Sequence, residues 1–137
     1  MRVIFADTGC WVALLNPHDD LHEKALALSA AVQPAHVVTT EMVLVEVLND
    51  FSDRGEYFRQ AAVKLIRSLY EYPNTTVIPQ TPLQFQEALT LYEQRPDKAW
   101  SQTDCVSFKI MEQESIVEAL AYDKHFVQAG YKALMRD

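Results

Sequence analysis

Three aspartates in this 137-residue chain stand where a carboxylate can serve chemistry as well as structure. Asp104 lies in Trp100-Ser101-Gln102-Thr103-Asp104-Cys105-Val106-Ser107-Phe108. Ser101-x-x-Asp104 approximates a capping box, with serine as N-cap and an acid at the third helical position. The positive end of a helix stabilises a carboxylate there by ~0.3–1 kcal/mol. That field also favours the ionised form a metal ligand needs, so cap and ligand are compatible roles. Asp7 ends the apolar run Arg2-Val3-Ile4-Phe5-Ala6, and Asp123 ends Ala119-Leu120-Ala121-Tyr122. An aspartate after a strand commonly makes a turn or caps the next helix. In a parallel α/β sheet, however, functional groups gather beyond the carboxyl ends of the strands. If both strands lie near the sheet centre, Asp7 and Asp123 converge.

The elements that must position these acids follow from periodicity and punctuation. Residues 2–6, 36–40, 75–78 and 119–122 read as short strands, with a last strand over 131–135. Between them the pattern predicts helices. The first, from Thr8 to Leu15, stops at Asn16-Pro17. A second is capped by Asp19 or Asp20, carries Leu21, Ala25 and Leu28 on one face, and closes at Pro34. Thr40 caps a third, with Val43, Leu44, Val47, Leu48 and Phe51 in one stripe. Arg54-Gly55 breaks that pattern before a helix over 56–70. Thr81-Pro82 opens another, whose apolar face runs through Phe85, Ala88, Leu89 and Tyr92. Helices over 102–114 and 124–128 follow, the latter ending at Gly130. Strand and helix alternating on this scale predict an α/β fold. The expectation is a single domain over residues 1–137, with a central, mostly parallel sheet of four to five short strands flanked by helices.

Composition narrows the chemistry. Three glycines exclude a Gly-rich phosphate loop. Cys10 and Cys105 match no metal-ligand spacing and read as buried, reduced thiols. The N-terminal apolar stretch is interrupted by Asp7 and lacks a small-residue cleavage site, which argues against a signal peptide and for a cytoplasmic protein. His18 and His22 stand four apart, but Asn16-Pro17 immediately before them argues against one helix carrying both, and so against a shared metal. His125 stands close enough to Asp123 to support it, and Trp11 and Trp100 read as packing residues. A net charge of −7 argues against a generic nucleic-acid binder, unless several acids are gathered and neutralised by metal. Glu46, in Val43-Leu44-Val45-Glu46-Val47-Leu48, falls off the apolar stripe beside Met42, Asn49, Asp50 and Asp53. It reads as part of a solvated face, and periodicity does not separate it from Glu41 or Asp50.

Four segments together carry a resemblance. They are Phe5-Ala6-Asp7-Thr8; Thr39-Thr40-Glu41 through Leu44-Val45-Glu46-Val47-Leu48; Asp97 through Trp100-Ser101-Gln102-Thr103-Asp104-Cys105-Val106-Ser107-Phe108; and Ala119-Leu120-Ala121-Tyr122-Asp123-Lys124-His125-Phe126 with Ala129-Gly130-Tyr131. In this order they resemble a PIN-domain ribonuclease, of the kind found as the toxin of VapBC-type toxin–antitoxin pairs. The resemblance covers nearly the whole length. It implies that Asp7, Glu46, Asp104 and Asp123 are the metal-binding and catalytic acids. Thr8 and Ser101 match hydroxyl positions beside them, Thr103 is a further candidate, and Asp97 matches a peripheral acid. It also implies an RNA substrate, a small antitoxin partner and a homodimer.

The chemistry implied is metal-dependent hydrolysis of RNA phosphodiesters. Two like charges 4 Å apart repel by ~4 kcal/mol at an effective dielectric of 20, so gathered carboxylates need cations or protons. Hard oxygen ligands suit Mg²⁺ or Mn²⁺, one or two ions, which activate water for in-line attack and leave 5′-phosphate and 3′-hydroxyl ends. Of the net charge of −7, four units would sit on these ligands, leaving −3 elsewhere. Arg54, Arg59, Lys64 and Arg67 can contact the RNA backbone or form an ordinary solvated face. The alternative function is a PIN-fold RNA- or protein-binding regulatory module with little nuclease activity. Receiver domains and haloacid-dehalogenase-like phosphatases need an acidic pair or D-x-D near the first strand, whereas Asp7 is followed by Thr8-Gly9.

Overall fold

The structure is a computed structural model, described over residues 1–136. Its elements run β1 (Arg2–Ala6), α1 (Thr8–Leu15), α2 (His22–Ala31), β2 (Ala35–Thr40), α3 (Glu41–Phe51), α4 (Glu56–Leu69), β3 (Thr75–Ile78), α5 (Pro82–Gln94), α6 (Gln102–Gln113), β4 (Glu118–Leu120), α7 (Lys124–Gln128) and β5 (Lys132–Ala133). The five strands form one sheet in the order β3-β2-β1-β4-β5, and every pairing is parallel. From β1 the chain winds outward through β2 to β3, then returns to place β4 on the other side of β1. The direction of winding reverses between β1 and β4, the place where parallel α/β sheets gather functional groups beyond the carboxyl ends of their strands. Asp7 follows β1 directly, and its N–H continues the ladder to the Leu120 carbonyl at 3.1 Å.

Burial on both faces explains why β1 reads as an unbroken apolar run: Ile4, Phe5 and Ala6 are fully buried. Helix α6 is buried without a break from Thr103 to Phe108, a helix inside the molecule rather than on it. A cluster of rings joins β1, α6 and α7. Phe108 of α6 meets Phe126 of α7 edge to face at 5.1 Å between centroids, and Phe126 lies 6.3 Å from Phe5 of β1. Trp100 and Tyr131 extend the cluster at 5.0 and 5.9 Å from Phe108. The Tyr131 hydroxyl also donates to the Phe108 carbonyl at 3.1 Å.

Several boundaries differ from expectation, each for a local reason. Neither Asp19 nor Asp20 caps α2. Asp19 instead accepts the Leu21 N–H in a turn at 2.9 Å, and the helix starts after Leu21. Strand β4 ends at Leu120, before the expected Tyr122, and β5 is shorter than residues 131–135. On α5 only Ala88 of the expected apolar face is buried. Phe85, Leu89 and Tyr92 stay exposed along a groove shared with Arg95, Lys98 and Trp100. The predicted caps are present: Thr40 accepts from Val43 N–H, and Thr81 forms a full capping box with Gln84 behind Pro82. No helix among the described residues is long and apolar enough to cross a membrane.

One buried hydroxyl fixes the carboxyl end of β1. Thr39 donates to the Ala6 carbonyl at 2.9 Å and accepts from the Trp11 indole at 3.3 Å, tying β2, β1 and α1 together next to Asp7. Thr39→Val keeps the shape and removes both bonds. It is expected to cost about 1–3 kcal/mol in urea unfolding, and Thr39→Ser much less.

Candidate functional site

Each acid stands on a different element. Asp7 is the N-cap residue of α1, yet its side chain makes no capping hydrogen bond. It is buried, and its carboxyl is pushed up to about 7. Loss of hydration is the main cause; the Thr8 amide opposes it, and the charges of Asp104, Glu46 and Asp123 add to it. That dependence places all four acids in one electrostatic neighbourhood.

Asp104 does cap α6. Its Oδ2 accepts the Ser101 N–H at 3.0 Å, while its own N–H donates to the Ser101 hydroxyl at 3.0 Å. Asp123 caps α7, its Oδ1 accepting the His125 N–H at 3.0 Å. His125 Nδ1 lies 2.9 Å from Asp104 Oδ2 and 3.2 Å from Asp123 Oδ1. One ligand atom from each of these three residues falls within 4.8 Å of the others, a spacing that could hold a metal ion.

Glu46 is singled out by its contacts. The Thr8 hydroxyl donates to Glu46 Oε1 at 2.6 Å, a short charge-assisted bond from the first turn of α1 to α3. Glu41 instead accepts the Gln80 N–H at 2.7 Å and the Tyr70 hydroxyl at 3.2 Å, and Asp50 pairs with Arg54 at 3.1 Å. Helical periodicity could not make this distinction, because it depends on which neighbouring element each acid meets.

Other candidates fall elsewhere. Thr103 is buried on α6, but makes no hydrogen bond to the acids among the described residues. Asp97 is exposed and forks onto Arg95 at 3.0 and 3.1 Å, which holds its carboxyl below the usual range. Arg54 is occupied by Asp50 and lies over the Phe51 ring. Arg59, Lys64 and Arg67 line one groove along α4 that none of the four acids borders. His22 Nδ1 contacts the Ala13 carbonyl, and His18 sits in the preceding turn. Both cysteines are free and buried; burial pushes Cys10 up to about 12 and Cys105 up to about 11, which removes them as thiolate ligands or nucleophiles.

The donor set fits a hard divalent cation. Asp104 Oδ1, Asp123 Oδ2 and Glu46 Oε2 carry no hydrogen bond among the described residues. The buried Asp7 carboxyl, raised in part by its acidic neighbours, is what a nearby positive charge would relieve.

A family model described as PIN domain matches residues 4–131. This chain belongs to the PIN-domain family. The 23S rRNA-specific endonuclease VapC20 of Mycobacterium tuberculosis is 31% identical to this PIN domain over 129 residues, covering 94% of the chain and 95% of the relative. The crystal structure of Mycobacterium tuberculosis VapC20, described as a sarcin–ricin loop cleaving toxin, superposes with a TM-score of 0.83 at 29% identity, covering 93% of this chain and 95% of that one. VapBC2 from Rickettsia felis, solved bound to a DNA fragment from its promoter, gives a TM-score of 0.63 at 18% identity over 96% of each chain, and shares the fold.

Two outcomes follow from the geometry of this PIN domain. Asp7 has a carboxyl raised from 3.8 to about 7, so between those values the folded state binds more protons than the unfolded chain. Stability in metal-free buffer therefore falls as pH rises through that window and levels off above it. Asp7→Asn abolishes this loss: relative to wild type it should gain ~3 kcal/mol on going from about pH 4 to about pH 8, read by urea unfolding in EDTA. Ser101→Ala removes the hydroxyl that accepts the Asp104 N–H, and should cost about 1 kcal/mol in the same assay.

Proposed function

We propose that residues 1–137 act as one PIN domain whose activity is Mg²⁺- or Mn²⁺-dependent endoribonucleolytic hydrolysis, and that the protein is the toxin of a VapBC-type pair. The observation that carries this reading is the gathering of four acids around the reversal point of the sheet, with Asp7 buried, raised and unused as a cap. The similarity to VapC20 along nearly the whole length supports it. No observation favours the binding-module alternative.

In this reading Asp7, Glu46, Asp104 and Asp123 hold one or two ions. Bound there, Mg²⁺ or Mn²⁺ would activate water and offset charge on the phosphate during in-line displacement. The chain's own contribution is placement. Thr8 holds one oxygen of Glu46, and the Ser101 amide holds one oxygen of Asp104. Burial of Asp7 keeps its interaction with a cation in a medium less screening than water. Arg59, Lys64 and Arg67 are assigned the lesser role of phosphate-backbone contacts, supported by their shared groove. A cytoplasmic location and a small antitoxin partner belong to the same reading. So does a homodimer, for which the exposed Phe85, Leu89 and Tyr92 of α5 offer apolar surface.

Large-subunit ribosomal RNA is the first substrate to test, given the activity named for the relative. Purified protein with Mn²⁺ should cut it at defined positions, with 5′-phosphate ends on mapping. Asp7→Asn, Asp104→Asn and Asp123→Asn should each slow cleavage by roughly a hundredfold or more. Undiminished cutting by all three variants would rule out the site.

A further inference from the structure

Resting on the metal-site reading above, we propose that His125 is a positioning residue that fixes which oxygens of Asp104 and Asp123 are left to bind the cation. Each carboxylate has two oxygens, and one of each is committed. Asp104 Oδ2 takes the Ser101 N–H at 3.0 Å and lies 2.9 Å from His125 Nδ1. Asp123 Oδ1 takes the His125 N–H at 3.0 Å and lies 3.2 Å from His125 Nδ1. Three of these four contacts come from one residue, which spans the two elements that carry the acids.

The bonding role of Nδ1 follows from what it faces. Carboxylate oxygens accept, so Nδ1 carries the hydrogen and shares it between them. An N–H dipole between the two acids also eases their mutual repulsion. The ring is largely buried, with a side-chain exposure of 18%. Its backbone is fixed within α7, where the Ala129 N–H bonds the His125 carbonyl at 3.0 Å. Next to it, Phe126 is fully buried between Phe5 and Phe108. Bracketed in this way, Asp104 Oδ1 and Asp123 Oδ2 are the oxygens left for a cation. Partners that orient metal-binding groups typically contribute 10–100-fold in metal affinity.

The competing role is direct ligation. One ligand atom from each of Asp104, Asp123 and His125 lies within 4.8 Å of the others, close enough for the three residues to bind one ion. In that case Nδ1 gives up its hydrogen to the bond with the metal. As a positioning residue it keeps it.

The test uses the full chain, with histidine ring nitrogens labelled for proton–nitrogen NMR. The His125 Nδ1–H resonance should persist at saturating Mg²⁺. Calorimetric titration with Mn²⁺ alone should show His125→Ala binding about tenfold to a hundredfold more weakly than wild type. His125→Asn, whose amide can place an N–H near the position of Nδ1, should recover most of that loss. Loss of the Nδ1 hydrogen on Mg²⁺ binding would overturn the positioning role in favour of ligation. Wild-type Mn²⁺ affinity in His125→Ala, or no recovery in His125→Asn, would overturn it too. The NMR arm needs no variant, so the outcome does not depend on either substitution folding. If the wild type itself bound no Mn²⁺, the metal-site reading would fail first and this inference with it.

Discussion

The packing of Phe108 on Phe126, and of Phe126 on Phe5, is the contact on which the arrangement of acids depends. Each ring lies within a few residues of an aspartate in the sequence: Phe5 before Asp7, Phe108 one helical turn after Asp104, and Phe126 just beyond Asp123. The acids repel one another and cannot hold themselves together. Apolar burial is not screened or reversed by their charge, so a rigid aromatic floor can keep β1, α6 and α7 in place while the carboxylates above it stay crowded. Trp100 and Tyr131 widen that floor, and Tyr131 adds a hydrogen bond to the backbone of α6.

Capping and ligation first present themselves as rival roles for an aspartate at a helix start. Here the cap uses a single oxygen. Asp104 gives Oδ2 to the Ser101 amide, and Asp123 gives Oδ1 to the His125 amide. The two helix starts thus orient their acids and leave one oxygen on each. Thr8 does the same for Glu46 through a side-chain hydroxyl, because Glu46 lies inside α3 and meets no orphan amides. Asp7 stands apart, since it occupies a cap position without capping.

Much of this was legible along the chain, for identifiable reasons. Thr40, Thr81-Pro82 and Ser101 mark helix starts by local hydrogen-bond chemistry, and local chemistry is what a sequence displays directly. The parallel α/β fold followed from strand and helix alternation, and Asp7 and Asp123 stood out because they end strands. What could not be read depended on a second element. Glu46 separates from Glu41 and Asp50 only through Thr8, Gln80, Tyr70 and Arg54, which lie on other segments or on the far side of a turn. The face of α5 through Phe85, Ala88, Leu89 and Tyr92 looked like a core stripe, yet only Ala88 of it is buried. The apolar pattern of an isolated helix cannot tell which of its sides finds a neighbour. For His125 the chain showed nearness to Asp123, but its contact with Asp104 required the fold.

The energetics of Asp7 connect these observations. A buried carboxyl lifted to about 7 has lost hydration that the opposing Thr8 amide does not make up. An ordinary core position would favour an apolar residue, and an ordinary N-cap would have turned the carboxylate onto the helix amides. Asp7 does neither, and its neighbours make matters worse for the charged form instead of better. A local rule broken in this way, at the reversal point of a parallel sheet, is what the proposed metal-site role of Asp7 accounts for. The Trp11–Thr39–Ala6 hydrogen bonds and the aromatic floor offset that loss from outside the site, holding the end of β1 in place whatever the charge on Asp7.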